Sequence, residues 1–247
     1  MGEKIQKDYP NNAVINVGSV SKAFGSKAVL NNINLDIAGG QSICICGANG
    51  AGKSTLLGII VGLLQPDKGA VHLCGYNINE DPEKTKPQVG LISHKSMVYP
   101  DLTVLENLFF FARLYGIKDV AARVNKLIED AGLFPYRYDK TSVLSRGLLQ
   151  RLSIARALVH QPQVLLADEP FTGLDRDACE RLVNVLNDFT KNNGTTVMTT
   201  HDINTGMRCC SRVVVLDKGG LIFDAMTSNI NTVSFAQDYL TYARNKN

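Results

Sequence analysis

ICICGANGAGKST, residues 43–55, is the segment that best predicts the architecture of the chain. An apolar run typical of a buried strand leads into the pattern G-x4-G-K-[ST], and a helical pattern follows it over residues 52–62. Glycines let such a loop curl until its backbone N–H groups face a phosphate. The lysine neutralises charge on the β- and γ-phosphates, and the serine hydroxyl ligates Mg²⁺. An ordinary glycine-rich turn would not need this strand, helix, lysine and serine together. We therefore predict an α/β protein whose phosphate-binding residues include Gly47, Asn49, Gly50, Ala51, Gly52, Lys53 and Ser54.

A second chemical signal is an acidic pair, Asp168 and Glu169, directly after the apolar run VLLA at residues 164–167. Ligands bind beyond the carboxyl ends of strands in open parallel sheets. Asp168 would hold Mg²⁺ through water, and Glu169 would polarise an attacking water and accept its proton. A solvated strand end is the alternative, but the phosphate loop upstream favours the catalytic interpretation.

Two more segments are candidates for the same site. His201 follows the strand pattern VMTT at residues 197–200, and its imidazole would donate a hydrogen bond to a γ-phosphate. An isolated histidine at a strand end is otherwise more often structural. Ser145 precedes a helical pattern and Gly147 lies in its first turn, so N–H groups there are predicted to bind an anion. Helix capping alone would also explain Ser145.

Composition and patterning define the class of protein around these motifs. The chain has 247 residues, which predicts one large domain or a domain with an inserted subdomain, and its 45% hydrophobic and 20% charged residues indicate a globular protein. Helical patterns at 105–115, 120–132 and 145–160 interrupt an alternation of strands and helices, which predicts a mainly parallel sheet. The net charge of +3 is too small to indicate a nucleic-acid-coating surface.

The sequence gives little indication of a membrane-spanning helix or of disulfide bonds. The longest uninterrupted apolar stretch, residues 56–64, has nine residues, about half of what a bilayer-spanning helix needs. The N-terminal residues have no secretion pattern, so a cytoplasmic location is expected. The six cysteines are too few for a disulfide scaffold, and Cys44 and Cys46 are predicted to be reduced core residues.

The order of these motifs resembles the ATP-binding cassette (ABC) family over about residues 14–224. The resemblance implies a RecA-like P-loop core with an N-terminal antiparallel β subdomain and an inserted helical subdomain. It implies one ATPase domain at 12–230, a helical insert at about 95–160 and a C-terminal extension at 231–247. It also makes Phe24 the aromatic that stacks on adenine, includes Thr55 in the phosphate loop, and makes residues 144–148 the signature. His94 takes the Q-loop position, acting on Mg²⁺ through water, and His201 is the switch histidine.

The resemblance implies partners as well as residues. Family members close head to tail, with each ATP between one subunit's phosphate loop and the other's signature. ATP and Mg²⁺ are thus the expected cofactors, and a homodimer or paired cassette the expected assembly. Integral membrane transporter subunits complete it, with this chain peripheral on the inner face of the cell membrane and no nucleic acid involved.

The sequence departs from the family pattern in two motifs. The usual LSGGQ signature is LSRGL, so Arg146 replaces a glycine, and the usual Q-loop glutamine is His94. Arg146 would be strained if the loop demands positive φ, and its charge would lie near the triphosphate or face solvent.

The finer function remains open between several classes. The Q-loop histidine, the LSxGxxQR form of the signature and residues 107–116 resemble the ATPase of the haem exporter used in cytochrome c maturation. Cassettes of multidrug, lipid and polysaccharide exporters share much of this region. A soluble ABC ATPase acting on ribosomes or DNA is a rival, although this chain has neither a second cassette nor a long coiled-coil insert. A small-molecule kinase would explain neither the signature nor His201.

Overall fold

The computed structural model describes residues 13–93, 96–231 and 235. The strands in chain order are β1 (Ala13–Phe24), β2 (Lys27–Ala38), β3 (Ser42–Cys46), β4 (Lys68–Leu73), β5 (Tyr76–Asn77), β6 (Val89–Ile92), β7 (Val164–Asp168), β8 (Thr195–Thr200), β9 (Arg212–Asp217) and β10 (Gly220–Met226). The helices are α1 (Lys53–Ile60), α2 (Pro82–Thr85), α3 (Val104–Leu114), α4 (Val120–Asp130), α5 (Arg146–Leu158), α6 (Arg176–Lys191) and α7 (Ile203–Cys209).

The strands form two sheets. A four-stranded antiparallel sheet has the order β2-β1-β4-β5, and a six-stranded sheet has the order β10-β9-β3-β8-β7-β6. Strands β9, β3, β8, β7 and β6 run parallel, and β10 pairs antiparallel with β9 at one edge. This arrangement confirms the predicted α/β class with a mainly parallel sheet and an antiparallel β subdomain.

The central strand β3 explains the position of the phosphate loop. All five residues of β3 are buried, as expected for a strand covered on both faces. Strand β8 pairs parallel with β3, and β7 pairs parallel with β8, so the carboxyl ends of the three strands meet at one edge of the sheet. The phosphate loop, the acidic pair and His201 follow those three ends and therefore share that edge.

The helices begin where the sequence supplies caps. Thr103 and Glu106 form a reciprocal capping box at α3, Ser145 caps α5, and Asp175 caps α6. Leu148, Leu152, Ala155 and Val159 recur at helical spacing along α5 and its C-cap, and they pack with α3 and α4 in a separate helical core. Two further apolar clusters cover the two faces of the six-stranded sheet.

Several elements differ from the sequence-based prediction. The short helix α7 and the edge strand β10 were not predicted, because α7 has only seven residues and contains a glycine and β10 is largely exposed. Residues 96–103 are not helical, and the helices of the predicted insert begin at Val104. The domain boundaries 12–230 and 95–160 stay predictions, and most of the predicted extension 231–247 lies outside the described residues.

None of the helices in the described ranges has both the length and the apolar composition needed to cross a bilayer.

Candidate functional site

The phosphate loop owes its shape to glycines at two crowded positions. Gly52 precedes α1 with a φ of 108°, a left-handed conformation that disfavours other residues. A Cβ on Gly52 would also lie 2.8 Å from a methyl carbon of Leu30 and 2.9 Å from the carbonyl oxygen of Val29. A Cβ on Gly47 would collide with the carbonyl oxygen of Leu216. Both glycines therefore let the loop lie close to neighbouring backbone while its N–H groups turn towards a ligand.

Lys53 is the first residue of α1 and is only 6% exposed. Its Nζ donates hydrogen bonds to the carbonyl oxygens of Gly47 at 2.8 Å and Ala48 at 3.2 Å. The same ammonium lies 3.6 Å from Oε1 of Glu169. The loop therefore holds one cation beneath the position where phosphates would bind.

Ser54 and Asp168 supply neighbouring oxygen atoms. The Ser54 hydroxyl donates to Oδ1 of Asp168 at 3.0 Å, and the Thr199 hydroxyl donates to the same oxygen at 2.6 Å. A hydroxyl and a carboxylate are hard oxygen ligands of the kind that Mg²⁺ takes in phosphate-binding sites. The residues present therefore fit the predicted metal.

Glu169 is held in an unusual backbone conformation beside Asp168. Its φ is 47°, in the left-handed region that residues other than glycine seldom occupy. Its backbone N–H bonds to both the hydroxyl of Thr199 at 3.0 Å and the carbonyl oxygen of Thr199 at 3.2 Å. Strained conformations of this kind persist where surrounding contacts determine them, often at functional sites.

His201 contacts Glu169 directly. Its Nδ1 lies 2.8 Å from Oε2 of the carboxylate. An ionised carboxylate only accepts hydrogen bonds, so Nδ1 must carry the proton that joins the two groups. In the neutral ring Nε2 is then an acceptor, whereas the sequence predicted that this ring would donate to a γ-phosphate. Donation to a phosphate as well requires the protonated imidazole or a turned ring.

Phe24 lies at the rim of a cleft of about 400 Å³. Its ring is 51% exposed, and Lys27 and Val29 of β2 line the same cleft. The described residues lining the cleft are Phe24, Lys27, Val29, Asn49, Gly50, Gly52, Lys53, Ser54, Thr55 and Glu169. An exposed aromatic face beside a phosphate loop suits a nucleotide base.

The signature residues lie elsewhere. Ser145 accepts a hydrogen bond from the backbone N–H of Leu148 at 3.4 Å, so it caps α5 as predicted. Ser145 and Gly147 are not among the described residues that line the cleft. Arg146 is helical, without the positive φ that would strain it. Its guanidinium bonds to the carbonyl oxygen of Thr172 at 3.0 Å, a contact that neither sequence alternative for this side chain included.

Three further residues differ in how the sequence-based predictions for them fare. His94, predicted to act on Mg²⁺ through water, lies outside the described residues. Thr199 was missed as a site residue, although it lies in the strand pattern before His201 and is fully buried. Cys46 ends β3 as a buried, free thiol, as predicted. A hydrogen bond with Cys44 and burial raise the pKa of the Cys46 thiol well above its ordinary range.

The chain matches known proteins over most of its length. The ABC transporter family matches residues 30–172. The chain is 37% identical over 209 residues to a Nod factor export ATP-binding protein I of Burkholderia lata, covering 84% of this chain and 69% of that protein. It is 31% identical over 206 residues to the linearmycin resistance ATP-binding protein LnrL of Bacillus subtilis, covering 83% and 66%. The chain thus spans about two thirds of the length of these relatives.

Solved structures agree with the family. The ATP-binding subunit of an ABC transporter superposes with a TM-score of 0.82 at 27% identity, covering 90% of this chain and 94% of that chain. An ATP-binding cassette in a dimeric post-hydrolysis state with ADP and Pi gives 0.79 at 29% identity, covering 87% and 100%. The chain belongs to the ABC transporter family. It is an ATP-hydrolysing cassette of that family.

Proposed function

We propose that this chain hydrolyses ATP in the cleft beside Phe24 and thereby powers export by separate membrane subunits. The observation that best supports this proposal is that Ser54 contacts Asp168 and Lys53 contacts Glu169, although the two motifs lie far apart in the sequence. A phosphate-binding cation, hard oxygen ligands and a candidate base are therefore neighbours. Phosphoryl transfer needs little more from a protein than positioning and electrostatic stabilisation.

The proposed reaction breaks the bond between the γ-phosphorus and the β–γ bridging oxygen and forms a bond from the γ-phosphorus to water. Glu169 accepts the proton of that water, and His201 orients the carboxylate through its Nδ1–H. Lys53 and the loop N–H groups bind the phosphates. Ser54 and Asp168 would hold Mg²⁺, which supplies neutralisation of the phosphate charge when bound.

We also propose a dimer with two such sites. Ser145 and Gly147 lie outside the described lining of their own cleft. This position supports a head-to-tail pair in which the signature of one subunit reaches the phosphates held by the other. The partner cassette is a second copy of this chain or a paired subunit, and the dimeric solved relative supports the arrangement.

An exposed apolar surface supports a membrane partner. Met97, Tyr99, Phe110 and Leu114 are 43%, 49%, 41% and 67% exposed on the helical subdomain. Exposed patches of this kind mark interaction sites. Phe110 and Leu114 also line a cleft of about 480 Å³, together with Leu102, Glu106, Phe109 and Arg113. We propose that a cytoplasmic helix of the membrane subunit docks there.

The direction and cargo rest on the relatives. Nod factor export names the direction for one set of relatives, and we propose export here as well. None of the relatives reported above is named for haem export, so haem is retained only as one candidate cargo beside lipids, polysaccharides and drugs.

The test is an ATPase assay without a phosphoryl acceptor, followed by purification from detergent-solubilised membranes. We expect phosphate release by the chain and recovery of a polytopic membrane protein with it. A requirement for an acceptor would instead indicate a kinase. Recovery of ribosomes or DNA would indicate the soluble class. Stimulation of the recovered complex by haem, but not by the other cargo classes, would identify haem export.

A further inference from the structure

The side chain of Arg146 contacts a loop outside the signature segment 144–148. Its Nη2 donates to the carbonyl oxygen of Thr172 at 3.0 Å. Gly173 follows with a φ of 71°, and a Cβ added there would collide with the guanidinium of Arg146. The flat guanidinium therefore lies against the backbone of Gly173.

A second residue of α5 holds the same loop. Gln150 lies four positions after Arg146, on the same face of the helix. Its Nε2 donates to the carbonyl oxygen of Pro170 at 3.1 Å. Residues 170–173, called the 170–173 loop below, are thus hydrogen-bonded to α5 at Pro170 and at Thr172.

The 170–173 loop continues directly from Glu169. The backbone N–H of Thr172 donates to the carbonyl oxygen of Glu169 at 3.2 Å, which closes a turn. On the other side, Thr199 holds the N–H of Glu169. The left-handed conformation of Glu169 is therefore fixed between β8 and the turn that Arg146 contacts.

We propose that Arg146 is a positioning residue for hydrolysis, holding the 170–173 loop so that the Glu169 carboxylate faces the attacking water. This inference rests on the proposed role of Glu169 as the base. The glycine usual at this signature position has no side chain to make the contact. Arg146 is also the first residue of α5. It therefore connects the signature, which is proposed to bind the partner's ATP, with Glu169, the proposed base of its own site.

The exposure of this contact predicts which measured property the loss of Arg146 will change. Arg146, Thr172 and Gly173 are all exposed, and exposed contacts of charged side chains contribute little to folding. A small displacement of a catalytic group, in contrast, strongly lowers turnover. Loss of Arg146 should therefore change kcat and leave the melting temperature and ATP affinity nearly unchanged.

The test is Arg146→Ala in the full chain, with Arg181→Ala on the exposed face of α6 as the matched control. We expect Arg146→Ala to lower kcat about tenfold and to change the KM for ATP less than about twofold. Arg146→Lys should recover only part of kcat, because an ammonium lacks the flat fork that lies against Gly173. A kcat equal to that of the Arg181→Ala control would overturn the proposal.

A reciprocal variant tests the contact itself. Gly173→Ala should lower kcat by displacing the guanidinium, and the same change in an Arg146→Ala background should cost less. Full additivity of the two substitutions would contradict the contact.

A final comparison separates this inference from the function on which it rests. Glu169→Gln should accumulate an ATP-bound dimer, and Glu169→Gln with Arg146→Ala should accumulate it equally. Loss of the dimer only in the double variant would overturn positioning and assign Arg146 to closure. Absence of hydrolysis in the unaltered chain, or of any ATP-dependent dimer, would instead refute the proposed function.

Discussion

Nδ1 of His201 lies 2.8 Å from Oε2 of Glu169, and Nζ of Lys53 lies 3.6 Å from the other oxygen of that carboxylate. The carboxylate thus joins the phosphate loop to the end of β8. Because both its oxygens have partners and its backbone is held by Thr199, Glu169 has little freedom to turn away from the cleft.

Glu169→Gln should retain ATP binding and lower turnover by about 10²–10⁴, because an amide cannot accept the proton of the attacking water. Nucleotide-loaded dimers should accumulate and be seen by gel filtration with ATP. Glu129→Gln, on the exposed face of α4, is the control for a surface carboxylate and should hydrolyse normally. Near-normal hydrolysis by Glu169→Gln would refute the assigned role.

Ser145→Arg should prevent ATP-dependent dimerisation without preventing ATP binding by the monomer. The substitution places bulk where the partner's γ-phosphate must dock and also removes the cap of α5, which costs about 1 kcal/mol. Ser145→Ala removes the cap without adding bulk, so the two variants should lose similar stability and differ in dimer formation. A persistent dimer of Ser145→Arg in gel filtration would count against the sandwich arrangement.

Phe24→Ala should raise the Kd for ATP about tenfold, since stacking of a base on an aromatic ring contributes roughly 1–3 kcal/mol. Titration calorimetry of the full chain measures this directly, and Phe24→Tyr should bind ATP nearly as the unaltered chain does. Phe134→Ala is a matched control, because Phe134 is 52% exposed and is not among the described cleft residues. Equal affinities of both alanine variants would exclude a stacking role for Phe24.

His160 should make stability depend on pH. Burial lowers its pKa from 6.5 to about 4, with Arg156 and Arg123 adding to the effect against a hydrogen bond to the carbonyl oxygen of Val89. The unfolded chain then binds a proton that the folded chain excludes. The contribution of neutral His160 to the free energy of unfolding is therefore complete above about pH 6.5 and is lost as the pH falls towards about 4.

The expected loss over this window is about 1–2 kcal/mol, allowing for partial solvent screening of the ring. Urea unfolding of His160→Phe should show a correspondingly weaker dependence on pH. The ring centroids of Tyr115 and His160 lie 3.9 Å apart. Tyr115→Phe keeps an aromatic ring against His160 and should therefore keep the pH dependence of the unaltered chain. Parallel curves for His160→Phe and the unaltered chain would show that His160 does not titrate in this way.

Features that depend on local pattern were predictable from the order of amino acids alone. The loop at 47–54 needs its glycines, lysine and serine at fixed spacing, so the motif could be predicted from the sequence. The helical pattern at 145–160 predicted α5 from periodicity alone. The alternation of strands and helices likewise predicted the parallel sheet.

Which of these segments come into contact depends on packing between distant parts of the chain. Asp168 faces Thr199 because β7 and β8 pair in one particular register, and a single slip would turn Thr199 away from the acidic pair. Arg146 reaches Thr172 because the start of α5 lies beside the loop that follows β7. Local sequence patterns specify strands, helices and turns, whereas strand order, register and the contacts of long side chains depend on packing between distant segments. The phosphate loop was therefore predictable, and the partners of Glu169 and Arg146 were not.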